Sequence, residues 1–273
     1  MEQKIKVINA KHTLPSAYLL KVWRFRSLAF TFAWQELKVQ YTQTIFGALW
    51  AFLRPLMILL IFTFIFDTLL PINGLKYPYP LFAFSGLIAW NYFSFIVNNG
   101  GTAIASNQQL IRKIYFPKII LVISKVLVGS IEFAVSVFLM LCMILILRFP
   151  ISANLVWLPV FLLMNIITGF TVAIWLNALS IKFRDLNHFM PQLIGFLIWL
   201  TPVFYPITKV PPTVAFLFLF NPLVGIVQGY RFAILGDVFP APQYLYSFGV
   251  VVLFLIFGLL LFIRGEDEMP DYL

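Results

Sequence analysis

The stretch "IILVISKVLVGSIEFAVSVFLMLCMILIL", residues 119–147, decides the fold, because it is almost wholly apolar and carries only Lys125 and Glu132 as charges. It exceeds the roughly 20 residues that a helix needs to cross about 30 Å of hydrocarbon. A run of this kind also suits the core of a large soluble protein, so composition has to arbitrate. The chain of 273 residues is 62% hydrophobic and 11% charged, with a mean hydropathy of +0.95. That leaves too little polar material to coat a soluble body of this size. The sequence is that of a membrane protein.

Working outward, comparable runs fall at 45–68, 81–103, 155–178, 187–205 and 244–263, making six spans with 119–147. Lipid cannot satisfy open backbone groups, and these runs are too long and continuous for barrel strands, so each is read as a helix. Residues 212–235 are also apolar, but Asn221, Pro222, Gln228 and Arg231 interrupt them. A full span there would absorb those polar groups and place the C-terminus outside. Two short helices that enter the outer leaflet and return, turning at Asn221-Pro222, fit better.

The basic residues set the orientation. Lys4, Lys6, Lys11, Lys21, Arg24, Arg26, Lys38 and Arg54 outnumber Glu2 and Glu36 at the start of the chain. Arg112, Lys113 and Lys118 fill one connection, and Lys182 and Arg184 another. A basic excess in short loops marks the cytoplasmic side, so both termini are expected inside. The net charge of +9 thus reports topology, and no contiguous soluble basic surface is left for nucleic acid. Residues 1–29 scatter their charges and lack the apolar core of a cleavable signal peptide. Residues 30–41 place Phe30, Trp34, Leu37 and Tyr41 along one helical side, with Thr31, Gln35, Lys38 and Thr42 toward the other, as expected of a helix lying on the membrane surface.

The expected class is therefore all-α: a polytopic membrane protein with six transmembrane helices, an N-terminal amphipathic interface helix and short re-entrant outer helices before the last span. Residues 1–44 form the cytoplasmic N-terminal segment, 45–263 the transmembrane domain with its re-entrant region at about 207–236, and 264–273 an acidic cytoplasmic tail. That tail, "RGEDEMPDYL", reads as solvated or as a contact for a basic partner surface.

Enzyme chemistry finds little footing. Cys142 is alone, so no disulfide forms within the chain, and one Cys with two isolated His gives no metal site. No phosphate-cradling G-x-x-x-x-G-K-[ST] loop occurs, nor H-E-x-x-H or G-x-S-x-G. Catalytic, cofactor and metal residues are accordingly expected to be none. Glu132 is the costly charge within a span, and it needs a partner, a polar cavity or a proton. Lys125 shares its face but lies ~10 Å away along the axis, too far for easy pairing. Glu132 is read either as partnered between helices or as part of a transport path. Arg54, next to Pro55 near the start of the first apolar run, needs an aqueous or anionic neighbour.

Three stretches carry a resemblance to a family. "WQELKVQYTQTIFGALWAFLRPLMILLIFTFIF" (34–66) resembles the opening of the permease subunits of polysaccharide-exporting ABC transporters, which export O-antigen, capsule and teichoic acid. "LIRKIYFPKIILVISKVL" (110–127) is similar to that family's cytoplasmic turn and third helix. "NALSIKFRDLNHFMPQLIGFLIWLTPVFYP" (177–206), followed by "FNPLVGIVQGYRFAILG" (220–236), resembles its pattern of Arg-Asp in a cytoplasmic turn, Thr-Pro-Val at the outer end of the fifth helix, and Asn-Pro between the outer short helices.

The resemblance implies half of a transporter in the bacterial inner membrane. Two copies of the chain would surround a conduit, with two separate ATPase subunits beneath them using ATP, for a substrate such as O-antigen on an undecaprenyl pyrophosphate carrier. Arg112, Lys113, Lys182, Arg184, Asp185 and His188 then become candidates for coupling to the ATPase, against a merely solvated positive loop. Arg54 becomes a candidate for the carrier's pyrophosphate, with water and acidic lipid headgroups as competing neighbours. Phe62, Phe66, Trp90, Tyr92, Phe95 and Trp199 become candidates for a glycan path, since aromatic faces suit sugar rings, although the same residues serve equally as packing or interface belt. The competing functions are export of teichoic acid, capsule, free lipid or drug by the same architecture, or secondary transport.

Overall fold

The computed structural model describes residues 15–42, 47–65, 74–180, 183 and 185–266. Among them there is no strand, and eleven α-helices follow one another: α1 (Pro15–Arg24), α2 (Arg26–Thr42), α3 (Trp50–Thr63), α4 (Tyr79–Phe95), α5 (Gln108–Lys113), α6 (Ile119–Ile146), α7 (Leu158–Ser180), α8 (Leu186–Leu197), α9 (Pro212–Leu219), α10 (Pro222–Leu235) and α11 (Gln243–Gly265).

The fold is built around α4. Within its span, 78% of the most apolar window lies inside the protein, against 28%, 28% and 17% for the spans of α6, α7 and α11. Small residues make this possible, since lipid gives helices no hydrophobic reason to associate and close backbone approach supplies the attraction instead. A Cβ on Gly86 would stand 3.1 Å from the Val203 carbonyl, and one on Gly129 of α6 would stand 2.7 Å from the ring of Phe95. Asn165 of α7 adds a hydrogen bond to the Ala89 carbonyl at 2.9 Å.

At its end α4 widens into a π-turn over Ile96–Gly100, where Asn98 and Asn99 bond back to Ser94 and to the Phe95 carbonyl. Asn177 secures this turn. Its amide donates to the Gly100 carbonyl at 2.7 Å and its oxygen accepts from the Ile104 N–H at 3.2 Å. An irregular backbone at this depth requires such partners, because water is not there to supply them.

Four described helices are long and apolar enough to cross a membrane: Tyr79–Gly100, Ile119–Ile146, Ala153–Ser180 and Tyr246–Gly265. Counting α9 and α10 as one bent span gives five. Of the two other expected spans, α3 is followed by π-turn residues 64–65 at the edge of the described part, and α8 is shorter than its apolar run. α3 has 14 residues and α8 has 12, so α8 reaches only about 18 Å. Its run was expected to stay helical to 205, but turns begin at 198 because Pro202 removes a donor and restrains Thr201.

The interruption at 212–235 resolves into two helices bent by 91°. Asn221 caps α10 by accepting from the Leu223 N–H at 3.0 Å, with Pro222 in the first turn, where its missing N–H costs nothing. Gly236 ends α10 with φ +70°, beside Ser152 in the α6–α7 connection. The next residue, Asp237, bonds to Tyr77 ahead of α4. Burial and this neighbouring carboxylate push the Tyr77 hydroxyl up to about 12. Hence α10 finishes at the end of the bundle that holds the 77 and 152 connections. The opposite, basic end gathers α1, α5, Lys118 and Glu266.

Candidate functional site

At the basic end, α2 lies against α6 through two polar rungs. Lys125 forms an ion pair with Glu36 at 2.6 Å. Gln40 donates to Glu132 at 3.0 Å, and Tyr41 also bonds to that carboxylate. Spacing of four residues on α2 meets spacing of seven on α6, so each partner falls on the facing side of its helix. The intramembrane acid is therefore partnered between helices, and its axial distance from Lys125 is resolved by giving each its own partner. The side of α2 that faces the protein carries Ala29, Ala33, Glu36 and Gln40, while Phe30 and Trp34 of the expected apolar side are exposed.

Beneath α2 two cavities share Gln40, Arg54 and Phe95. A cleft of about 620 Å³ is lined by Gln35, Glu36, Asn99, Ser106, Asn107, Ser124 and Lys125 among others. A smaller cavity of about 170 Å³ reaches inward between α3, α4 and α6, with Tyr41, Trp50, Asn91, Tyr92, Glu132 and Ser136 in its wall. Arg54 is exposed and has no ion-pair partner among the described residues. A cation here faces a polar, open cleft rather than lipid. Tyr92 is buried but presents its hydroxyl to Ser130 at 2.7 Å.

A buried clamp that sequence reading missed lies close to the same end. The expected solvated tail starts with a buried acid: Glu266 accepts from the Tyr18 hydroxyl and, at 2.8 Å, from the Lys118 N–H, while the Lys118 ammonium donates to the Glu266 carbonyl. Burial holds the Glu266 carboxyl above the usual range, against the opposing pull of Tyr18 and Lys118. The clamp joins α1, the turn before α6 and the end of the last span. Its sequence signal was weak, because Glu266 reads as one of a run of tail acids. Residues 267–273 lie outside the described part.

At the far end, the turns after α8 leave three carbonyls without helical partners, and other elements supply them. Asn221 donates to the Thr201 hydroxyl at 3.0 Å and reaches the Leu200 carbonyl at 3.4 Å. Arg231 donates to the Val203 carbonyl at 2.7 Å, and Tyr79 to that of Phe204 at 3.2 Å. Phe204 stacks on Phe62 of α3 with centroids 3.6 Å apart, and Trp199 leans on both rings. Two of the aromatic candidates, Phe62 and Trp199, therefore meet in one cluster. Trp90 instead packs into the core at 5% exposure, and Phe95 borders the cavities at the other end. Phe66 lies outside the described residues.

Of the coupling candidates, Arg112 and Lys113 are exposed in the last turn of α5, and Asp185 and His188 are exposed at the start of α8. Lys182 and Arg184 lie outside the described residues. On α8, His188, Gln192 and Gly195 form one helical face, and all three are exposed, as is Trp199 in the turn beyond the helix. Nothing lies within 4 Å of a Cβ placed on Gly195.

A bundle of apolar helices, several of them long enough to cross a membrane, with a polar cleft beneath α2, is the architecture of a multi-pass membrane protein. The profile of the ABC-2 type transporter family matches residues 27–235, and the chain belongs to that family. It is 29% identical to the O-antigen export system permease protein RfbA of Myxococcus xanthus over 213 residues, 77% of this chain and 81% of the relative. It is 26% identical to the RfbA protein of Klebsiella pneumoniae over 198 residues, 72% of this chain and 76% of the relative. Against the polysialic acid transport protein KpsM of Escherichia coli it is 26% identical over 239 residues, 86% and 92% of the two chains.

Proposed function

We propose that the chain is the permease half of an ATP-driven exporter of lipid-linked polysaccharide, with O-antigen on an undecaprenyl pyrophosphate carrier as the first substrate to test. The relatives named for O-antigen and polysialic acid support the glycan class. Two copies would join with two copies of a separate ATPase subunit. The basic end faces the cytoplasm in the inner membrane, in line with the basic excess of its loops.

The observation that carries this reading is the uncovered face of α8. Gln192 makes no side-chain hydrogen bond among the described residues and is exposed on a membrane-length apolar run. A lipid-facing amide is disfavoured, whereas one facing a wet conduit or a second copy is satisfied. His188, Gln192 and Trp199 thus line a path leading toward the Phe62–Trp199–Phe204 cluster, and α3 and α8 supply the surface on which a second copy closes that path. Arg54 in the open cleft meets the carrier's phosphates, for which a guanidinium offers a matching fork of donors. Sugar rings pass over aromatic faces that attract them without fixing one repeat. The exposed residues of α5 and the start of α8, together with Lys182 and Arg184 just before α8 in the sequence, receive the ATPase's movement.

Photo-crosslinking tests this directly. A photoreactive residue at Gln192 or Trp199 should capture lipid-linked glycan during ATP turnover, and one at Leu163, exposed on α7, should capture only lipid. Equal capture of glycan at all three positions, or at none during verified turnover, would remove the assigned path.

A further inference from the structure

Arg231 is the most deeply buried cation among the described residues, at 3% exposure; the Asp237 carboxylate acts on it electrostatically but forms no direct ion pair with it. Its guanidinium carbon stands 3.6 Å from the centroid of the Phe82 ring, one Nη donates to the Val203 carbonyl at 2.7 Å, and Nε has no hydrogen-bond partner. Leaving a buried cation this lightly satisfied is expensive, and a neutral residue would pack the same space more cheaply. Gly86 keeps the space open, since a Cβ there would come within 3.1 Å of both the guanidinium and the Val203 carbonyl.

The carbonyl it holds is informative. Val203 lies in the turns after Thr201-Pro202, where the helical ladder of α8 has stopped and the chain bends. Val203 and Phe204 are 0% and 1% exposed, and Phe204 carries the stack with Phe62 of α3. Arg231 therefore connects three elements at one point: the ring of α4, its own helix α10, and the bend that places the aromatic cluster. Asn221, at the other end of α10, grips the same bend two residues earlier through Thr201. The helix α10 thus holds the bend at two places, through the Asn221 amide at its start and through the Arg231 guanidinium farther along.

We propose that Arg231 is a positioning residue for the far-end gate of the conduit, latching the 201–205 bend, and with it the Phe62–Trp199–Phe204 cluster, in the closed arrangement. The assignment rests on the transport reading above. Opening moves the bend away from the guanidinium. The cation then takes up water from the path, and hydration recovers only part of the carbonyl and ring contacts that the closed state provides. A cation rather than a neutral donor suits a latch, because its alternative partner in the open state is favourable.

The test reads the bend itself, without any glycan. In a Cys142→Ser background of the assembled complex, Val203→Cys reports the bend to a water-soluble maleimide added from the far side. A second single-cysteine protein, Ile151→Cys in the exposed α6–α7 connection, is the reference. Arg231→Ala should speed labelling of Val203→Cys by roughly tenfold or more, the scale of one lost charged hydrogen bond. It should leave labelling of Ile151→Cys unchanged. Arg231→Lys, which keeps the charge and a donor but loses the flat stacking surface, should fall between Arg231→Ala and the parent.

Phe82→Leu guards against misfolding of the alanine variant. It spares the Val203 contact and should raise labelling only a few-fold. Labelling of Val203→Cys that stays at the parental rate in folded Arg231→Ala and in Phe82→Leu would overturn the latch. A rise shared equally by Ile151→Cys would also overturn it, by showing general loosening. Failure of glycan capture by α8 together with the expected labelling pattern would instead remove the substrate path and leave the latch standing.

Discussion

The two ends of the bundle solve the problem of a buried charge in opposite ways. At the basic end, charges find opposite charges or strong polar partners on distant parts of the chain: Lys125 with Glu36, Glu132 with Gln40, and Glu266 with Lys118 and Tyr18. At the far end, Arg231 has a ring and a single carbonyl. Ion pairs hold a surface helix and a terminus firmly and respond to pH and salt. A cation held by a carbonyl and a ring has no direct ion pair to break and yields to water. On the proposed function, the difference suits a basic end that receives the ATPase's movement without coming apart and a far end that opens.

The sharpest way to break this comparison is at the clamp. Glu266→Ala removes the carboxylate that accepts from the Tyr18 hydroxyl and from the Lys118 N–H, so it should cost about 3 kcal/mol, the scale of two buried hydrogen bonds lost together. Thermal unfolding in detergent would register it, with α1 becoming the first segment cut by protease. A loss below about 1 kcal/mol would mean that the tail is solvated after all.

Asn177→Leu comes next. It leaves the Ile104 N–H unpaired and takes away one of the two donors to the Gly100 carbonyl, the other being the Ala103 N–H, a loss of about 2 kcal/mol on the scale of unsatisfied buried groups. The same unfolding assay reads it, and α1 should stay protected.

The Lys125–Glu36 pair is smaller. Its side chains are 15% and 28% exposed, so a double-mutant cycle with Lys125→Met and Glu36→Gln should give a coupling of about 1 kcal/mol that shrinks in high salt. A salt-independent coupling would argue that α2 is held by packing alone.

The pH response of the clamp is the smallest effect. Burial raises the Glu266 carboxyl in the folded protein, so the folded state holds this proton more tightly than the unfolded chain does. The associated stability is present below the ordinary glutamate range and is lost as pH rises through the raised value. Unfolding scans from acid to neutral pH should show that loss, and Glu266→Gln should flatten it. A stability rising over the same window in the parent alone would reverse the sign and contradict the burial account.

Much of the architecture was legible because lipid imposes a coarse rule: long apolar runs must be helical. Residues 119–147 and 155–178 obeyed it almost residue for residue. The break between α9 and α10 was also readable, since Asn221-Pro222 and Arg231 are too polar for an ordinary span. What escaped the sequence was pairing at long range. Lys125 and Glu36 are separated by 89 positions and Lys118 and Glu266 by 148, and no local pattern links either pair. The early end of α8 was missed for another reason: Thr201-Pro202 closed the quoted motif, but the apolar residues beyond it disguised the bend. At the candidate site, Arg54 and Glu132 announced themselves as charges near apolar runs, whereas the aromatics gave no orientation. Only the fold separated Phe62 and Trp199, which meet at the bend, from Trp90, which is core.

The most direct measurement is movement of carrier-linked O-antigen into sealed vesicles containing this chain, with and without its ATPase partner, supplied with ATP or a non-hydrolysable analogue. The account predicts transport only when both proteins and hydrolysable ATP are present, weakened by Arg54→Ala through a higher substrate requirement. Transport by this chain alone, or an assembled complex that hydrolyses ATP while moving no carrier-linked glycan, would contradict it.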